Sequence, residues 1–177
     1  RGASMLVRKN IFDILEGFDE KFYVSFEDVD LGWRAWMIGY KVVLTPKSIV
    51  YHVGGQTIKS KKSEIAFHGF KNQLTMKITN FEPSLAIRNT LLFFIRYGFR
   101  ELKIWFDYKI KGTTTLTATD YENKIAEKPS FKIIAKSIIW ILSNPKYLLK
   151  KQKKIRFSRK VSTESLMKMN IISNKIQ

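Results

Sequence analysis

The charge of this 177-residue chain is divided unevenly along it, and that division constrains the fold more than any other feature. Residues 1–56 carry seven basic side chains (Arg1, Arg8, Lys9, Lys21, Arg34, Lys41, Lys47) and seven acidic ones (Asp13, Glu16, Asp19, Glu20, Glu27, Asp28, Asp30). They balance to zero, so residues 57–177 hold the whole net charge of +17. A neutral segment can close on a core of its own. A segment with so large an excess repels itself and points to an anionic partner: nucleic acid, anionic lipid or a phosphate-bearing substrate. Hydrophobic residues make up 45% of the chain and aromatics 14%, which is enough for a core and excludes wholesale disorder. There is no cysteine. That excludes a disulfide scaffold, a thiolate zinc site, an iron–sulfur cluster and a cysteine nucleophile, and it fits a reducing cytosol. No apolar run approaches the roughly 18 residues of a membrane span. Arg1 to Ser4 leads into a folded segment rather than a signal peptide. The first residue is not methionine, so a piece of a longer chain is expected.

Hydrophobic pattern and punctuation divide the chain at about residue 56. The first part, 1–56, reads as compact α/β. Residues 4–7 are a strand candidate. Asn10 is a candidate cap for a short helix over 11–15, closed by Gly17. Residues 18–23 form a loop with aromatic anchors. A helix is expected over 27–38, with Gly39 as its stop. Residues 41–44 and 49–53 are β-branched and short, so they read as strands, the second ended by Gly54 and Gly55. The second part, 57–177, reads as a basic helical extension. It has helices over 65–79, from Pro83 onward, and over 131–142, a Thr-rich loop or strand over 112–120, a break at Asn144-Pro145 and a basic run over 150–160.

The densest acidic cluster is Glu27-Asp28-Val29-Asp30, at the start of the 27–38 helix. Acidic residues are favoured at helix N-termini in any case, so Asp28 reads equally well as a cap. The chemical alternative is a general base or a metal ligand, since the helix dipole keeps a carboxylate there ionised. His52 sits at a strand end beside two glycines. Such a histidine is usually structural, although strand ends of open α/β sheets are also where sites lie.

Several segments in order then resemble one family: residues 2–8, Gly17-Phe18-Asp19-Glu20-Lys21-Phe22, Phe26-Glu27-Asp28-Val29-Asp30-Leu31-Gly32-Trp33-Arg34, Gly39-Tyr40-Lys41-Val42-Val43, Pro46 and Val50-Tyr51-His52. Together they are similar to the C-terminal half of a family 2 glycosyltransferase, nearest its rhamnosyltransferase-like members. Phe70-Lys71-Asn72 and the basic tail over 140–160 extend the likeness at lower specificity. The resemblance implies a GT-A fold, here the acceptor-side half of a mixed sheet with helices plus a basic α-helical appendage. It implies inverting transfer from a nucleotide-diphosphate sugar to a hydroxyl of a glycan or polyprenyl-diphosphate-linked acceptor. Asp28 matches the family's base. Glu27 would shape the pocket, Gly2, Ala3 and Ser4 match a substrate-contacting segment, and Trp33 is a further binding candidate. His52 matches a histidine that in some members completes a divalent (Mg or Mn) metal site. Asp28-Val29-Asp30 also fits the Asp-x-Asp pattern of the family's metal motif, but its flanks match the acceptor-side motif, and the nucleotide-binding half is not in this sequence. The absence of Gln-x-x-Arg-Trp favours single-sugar addition over processive synthesis.

The basic helices have a plain reading as packing elements with solvated lysines. Their functional reading is docking on an anionic membrane surface, which would place the protein at the inner face of the cell membrane in the cytoplasm. The rival class is a basic nucleic-acid- or membrane-surface-binding module without catalysis. Nucleic acid is disfavoured because no recognised nucleic-acid motif is present and the acidic cluster has no role there.

Overall fold

The computed structural model describes residues 2, 4–52, 62–111 and 131–172. They form seven helices: α1 (Lys9–Ile14), α2 (Glu27–Met37), α3 (Lys62–Asn80), α4 (Pro83–Lys111), α5 (Phe131–Ser143), α6 (Pro145–Ser158) and α7 (Thr163–Lys168). The hub is α3, which packs against α2, α4, α5 and α6.

The expected mixed sheet of a GT-A fold is corrected here. No strand is present among the described residues. Segments 4–7, 41–44 and 49–52 are non-helical, and Leu6, Leu44 and Tyr51 are 100%, 88% and 95% exposed. A strand exists only when its N–H and C=O groups pair with a neighbouring strand, and β-branched residues do not substitute for that pairing. No such neighbour is present among the described residues. Val53, the two glycines after it, residues 112–120 and the expected boundary at residue 56 lie outside them.

The helices follow from the side-chain pattern. In α2, Leu31, Ala35 and Ile38 recur at helical spacing and pack with Leu15, backed by Val7 and Phe12. Its other flank carries Met37, which packs with Ile155 and Leu166 of α6 and α7. The Lys160 and Val161 N–H groups both donate to the Met37 carbonyl, at 2.8 and 3.0 Å, so the C-terminus of α2 is satisfied by the chain that follows α6. Gly39, at φ +91°, supplies the left-handed stop. A third cluster joins Phe70 and Leu74 of α3 to Phe93 of α4, with Ile134 and Ile141 of α5 against it. Asn10 lies inside α1, and the residue at its N-cap is Arg8, which makes no side-chain cap. Pro145 ends α5 but also opens α6 at its first turn, where its missing N–H costs nothing.

Candidate active site

The turn into α2 is unusual. Ser25 and Phe26 have φ +67° and +68°, left-handed values that non-glycine residues adopt at a cost of about 1–2 kcal/mol each. Phe26 is the N-cap of α2 and gives no side-chain cap. Asn72 of α3 holds this turn: its Nδ2 donates to the Val24 carbonyl (3.0 Å) and to the Ser25 carbonyl (2.7 Å). The next two residues are Glu27 and Asp28.

Asp28 is half-buried, and N–H donors fix both of its carboxylate oxygens. Gly2 donates to Oδ2 at 2.6 Å and Val29 to Oδ1 at 2.8 Å. Gly2 sits so close that a β-carbon there would lie 3.6 Å from Asp28 Oδ2 and 3.6 Å from Glu27 Oε1. Glu27 Oε2 is buried and has no hydrogen-bond partner. A buried acceptor without a donor is costly unless a ligand supplies one. Gly2 also lines an open groove of about 450 Å³ with Met5, Val7, Lys9, Phe12 and Phe18. Within it, the Phe12 and Phe18 rings meet edge-on at 5.6 Å.

Residues 2, 27 and 28 of the sequence-based candidates are therefore brought together. Ser4 is exposed at a bend, and Ala3 lies outside the described residues. Trp33 belongs to the packing: its ring meets Phe81 edge-on at 4.8 Å, and its buried Nε1–H has no acceptor. His52 is exposed on non-helical backbone. Among the described residues no three His, Asp or Glu side chains group closely enough to hold a metal ion.

Asp30 shares the helix turn with Asp28 but has a different surrounding. It is fully buried and accepts from Arg34 Nε (2.8 Å), Asn80 Nδ2 (3.1 Å) and Lys151 Nζ (3.1 Å). Lys151 also donates to Asp19 Oδ2 at 2.5 Å, as does the Tyr147 hydroxyl at 2.5 Å. Arg34 continues to the Leu15 and Gly17 carbonyls at 2.6 and 2.9 Å. Lys71, 1% exposed, donates to the Lys21 carbonyl at 2.5 Å and lies 4.4 Å from the centre of the Trp140 ring. The loop over 15–25 is thus tied to α3 and α6 by side chains along its length.

The electrostatics follow from this packing. Burial raises the Asp19 carboxyl, but the charge and hydrogen bond of Lys151, with Tyr147, outweigh it and hold the group below the usual carboxylate value. Burial pushes the Lys71 ammonium down to about 8, with nearby Lys151 and Lys21 adding to the fall and Asp19 opposing it. Burial also lowers His68, and Lys71 adds to that. Burial and the hydrogen bond to Asp19 raise the Tyr147 hydroxyl.

Sequence reasoning did not find Asp19, Asn72, Lys71 or Lys151 as parts of this arrangement. One local signal existed. Lys71 is one turn after Phe67 and three residues before Leu74, both buried, so it lies on the inward stripe of α3.

Comparison with known proteins gives partial relatives. The chain is 35% identical over 68 residues to the N-acetylglucosaminyl-diphospho-decaprenol L-rhamnosyltransferase of Mycobacterium tuberculosis, a stretch covering 38% of this chain and 22% of that protein. It is 40% identical over 50 residues to the O-antigen biosynthesis protein RfbC of Myxococcus xanthus, covering 28% of this chain and 4% of that protein. The matches thus span about a fifth or less of the length of these curated relatives. No family model and no solved structure matches the chain. The likeness relates part of this chain to a rhamnosyltransferase and to a protein of O-antigen biosynthesis.

Proposed function

We propose that this chain supplies the acceptor side of an inverting glycosyltransferase. The enzyme would move one sugar from a nucleotide-diphosphate donor to a hydroxyl of a glycan or polyprenyl-diphosphate-linked acceptor. The observation that carries this reading is the pair at the head of α2: Asp28 fixed by two N–H groups, beside Glu27 with a buried oxygen that lacks a donor.

The acceptor lies in the groove over Phe12 and Phe18, which reaches Gly2 and so the Asp28 carboxylate that Gly2 holds. The reacting hydroxyl oxygen attacks the anomeric carbon from the face opposite the diphosphate. The new C–O bond forms as the bond from the anomeric carbon to the diphosphate oxygen breaks, and the electron pair leaves with the diphosphate. The hydroxyl proton passes to the Asp28 carboxylate. General-base assistance of this kind contributes about 10²–10⁴-fold. The N–H groups of Gly2 and Val29 keep the carboxylate from rotating away, which limits the entropy lost in the transition state. On this reading the protein works at the inner face of the cell membrane, where a lipid-linked acceptor meets a soluble nucleotide sugar.

The test is to incubate the full-length protein with radiolabelled nucleotide-activated sugars, L-rhamnose first, and a polyprenyl-diphosphate-linked sugar. Label should enter the lipid phase in a linkage of inverted anomeric configuration. Absence of transfer from every donor tried, or a product of retained configuration, would contradict the reading.

A further inference from the structure

The longest described helix buries its two acids and exposes many of its apolar side chains. α4 runs from Pro83 to Lys111, 29 residues. Its inner face buries Asn89, Glu101 and Asp107 beside Phe93 and Ile104. Its outer face exposes Ile87 (73%), Leu91 (60%), Phe99 (71%), Leu102 (56%), Phe106 (58%) and Ile110 (63%). At helical spacing these six fall within one arc of about 140°, along a stripe about 35 Å long. Exposed apolar patches of this kind mark interaction surfaces.

The charges on the same helix select the occupant. Arg88 and Lys109 are exposed within the arc, and Arg96 and Lys103 are exposed along its border. The two acids of the helix, Glu101 and Asp107, are both buried, so the outer face carries cations and no anion. A self-associating helix usually flanks its apolar seam with both signs of charge, which pair across the interface. Two copies of α4 would instead bring cation against cation. An anionic lipid surface complements both features: the apolar side chains enter the acyl boundary and the long basic ones reach back to the phosphates. No described helix is long and apolar enough to cross a membrane.

We propose that the outer face of α4 docks this protein on an anionic bilayer, with the helix lying in the interface. This inference does not rest on the sugar-transfer reading. The test is co-sedimentation of the full-length protein with vesicles of phosphatidylcholine alone and of equal parts phosphatidylcholine and phosphatidylglycerol. Binding is expected to the phosphatidylglycerol vesicles and to weaken at high salt. Arg88→Gln, Arg96→Gln and Lys103→Gln should each weaken it roughly fivefold. Phe99→Ser, Leu102→Ser and Phe106→Ser together should weaken it by more than about tenfold. All six side chains are exposed, so unchanged circular dichroism and melting temperature are expected in every variant. Trp105, 46% exposed, gives an independent readout: quenching by brominated lipid that disappears in Trp105→Phe. Three results would overturn the proposal. The protein could remain in solution with phosphatidylglycerol vesicles at low salt. The variants could bind as the parent does. The serine variant could turn a dimer into a monomer while vesicle binding stays unchanged, which would make a second copy the occupant.

Discussion

Lysine and arginine stand in two contrasting settings in this molecule. Around the loop over 15–25, Lys71 is buried and Lys151 half-buried, each donates to a named oxygen, and each lies over an aromatic ring. On α4, Arg88, Arg96, Lys103 and Lys109 are exposed among apolar side chains. The inner set fixes backbone, because a desolvated ammonium is tolerated only where carbonyls and carboxylates surround it. The outer set keeps its hydration and leaves a cationic, apolar face. Net charge alone does not separate the two. What separates them is whether an opposing segment brings an acceptor to the charge.

The comparison breaks most visibly at Lys151. Removing it leaves Asp19 and the fully buried Asp30 without their shared cation. Lys151→Ala should therefore cost about 3–5 kcal/mol in urea unfolding. Arg96→Gln or Lys103→Gln on α4 should stay within about 0.5 kcal/mol. Equal costs at the two places would erase the distinction.

Asn72→Ala gives the next largest effect. It removes both hydrogen bonds to the left-handed turn, worth together about 2 kcal/mol. With the turn released, Asp28 loses its fixed position. On the sugar-transfer reading kcat should fall about tenfold while KM for the acceptor changes little. A fall in stability with kcat unchanged would make Asn72 a packing residue only.

Lys71→Met separates buried from solvated lysine by pH. The folded value of Lys71 lies at about 8, below its ordinary 10.5. Between those values the unfolded chain binds a proton that the folded chain does not, so stability rises with pH across that window. The difference between the parent and Lys71→Met should carry that rise. A flat difference would mean that Lys71 is solvated like the cations of α4. The Asp19 contribution has the opposite sign: its lowered value gives stability that is present above the ordinary carboxylate range and lost as pH falls through the folded value.

Much of the helical part was legible in the sequence. The stripe Leu31, Ala35, Ile38 with its stop at Gly39 marks α2, and the periodicity after Pro83 marks α4. The position of the Glu27–Asp28 pair was legible because acids at the head of a helix form a local pattern. The sheet was misread because Val42, Val43 and Leu44 have strand propensity, while pairing depends on a neighbour that propensity does not reveal. The sequence over 144–160 shows a break and a basic run; α6 is hidden there because Pro145 both stops one helix and starts another. The pairing of Lys151 with Asp19 and Asp30 was not legible. Lys151 meets Asp19 and Asp30 across 132 and 121 residues, and nothing around Lys151 in the sequence distinguishes it from its solvated neighbours.

On the sugar-transfer reading Asp28 accepts the proton of the acceptor hydroxyl. The direct measurement is the rate of sugar transfer by Asp28→Asn in the full-length protein, with circular dichroism and vesicle binding recorded alongside. The amide keeps an oxygen for the Gly2 N–H but cannot take up the proton, so transfer should fall by about 10²–10⁴-fold with fold and membrane binding unchanged. Transfer at the parent rate in a folded Asp28→Asn would contradict the account.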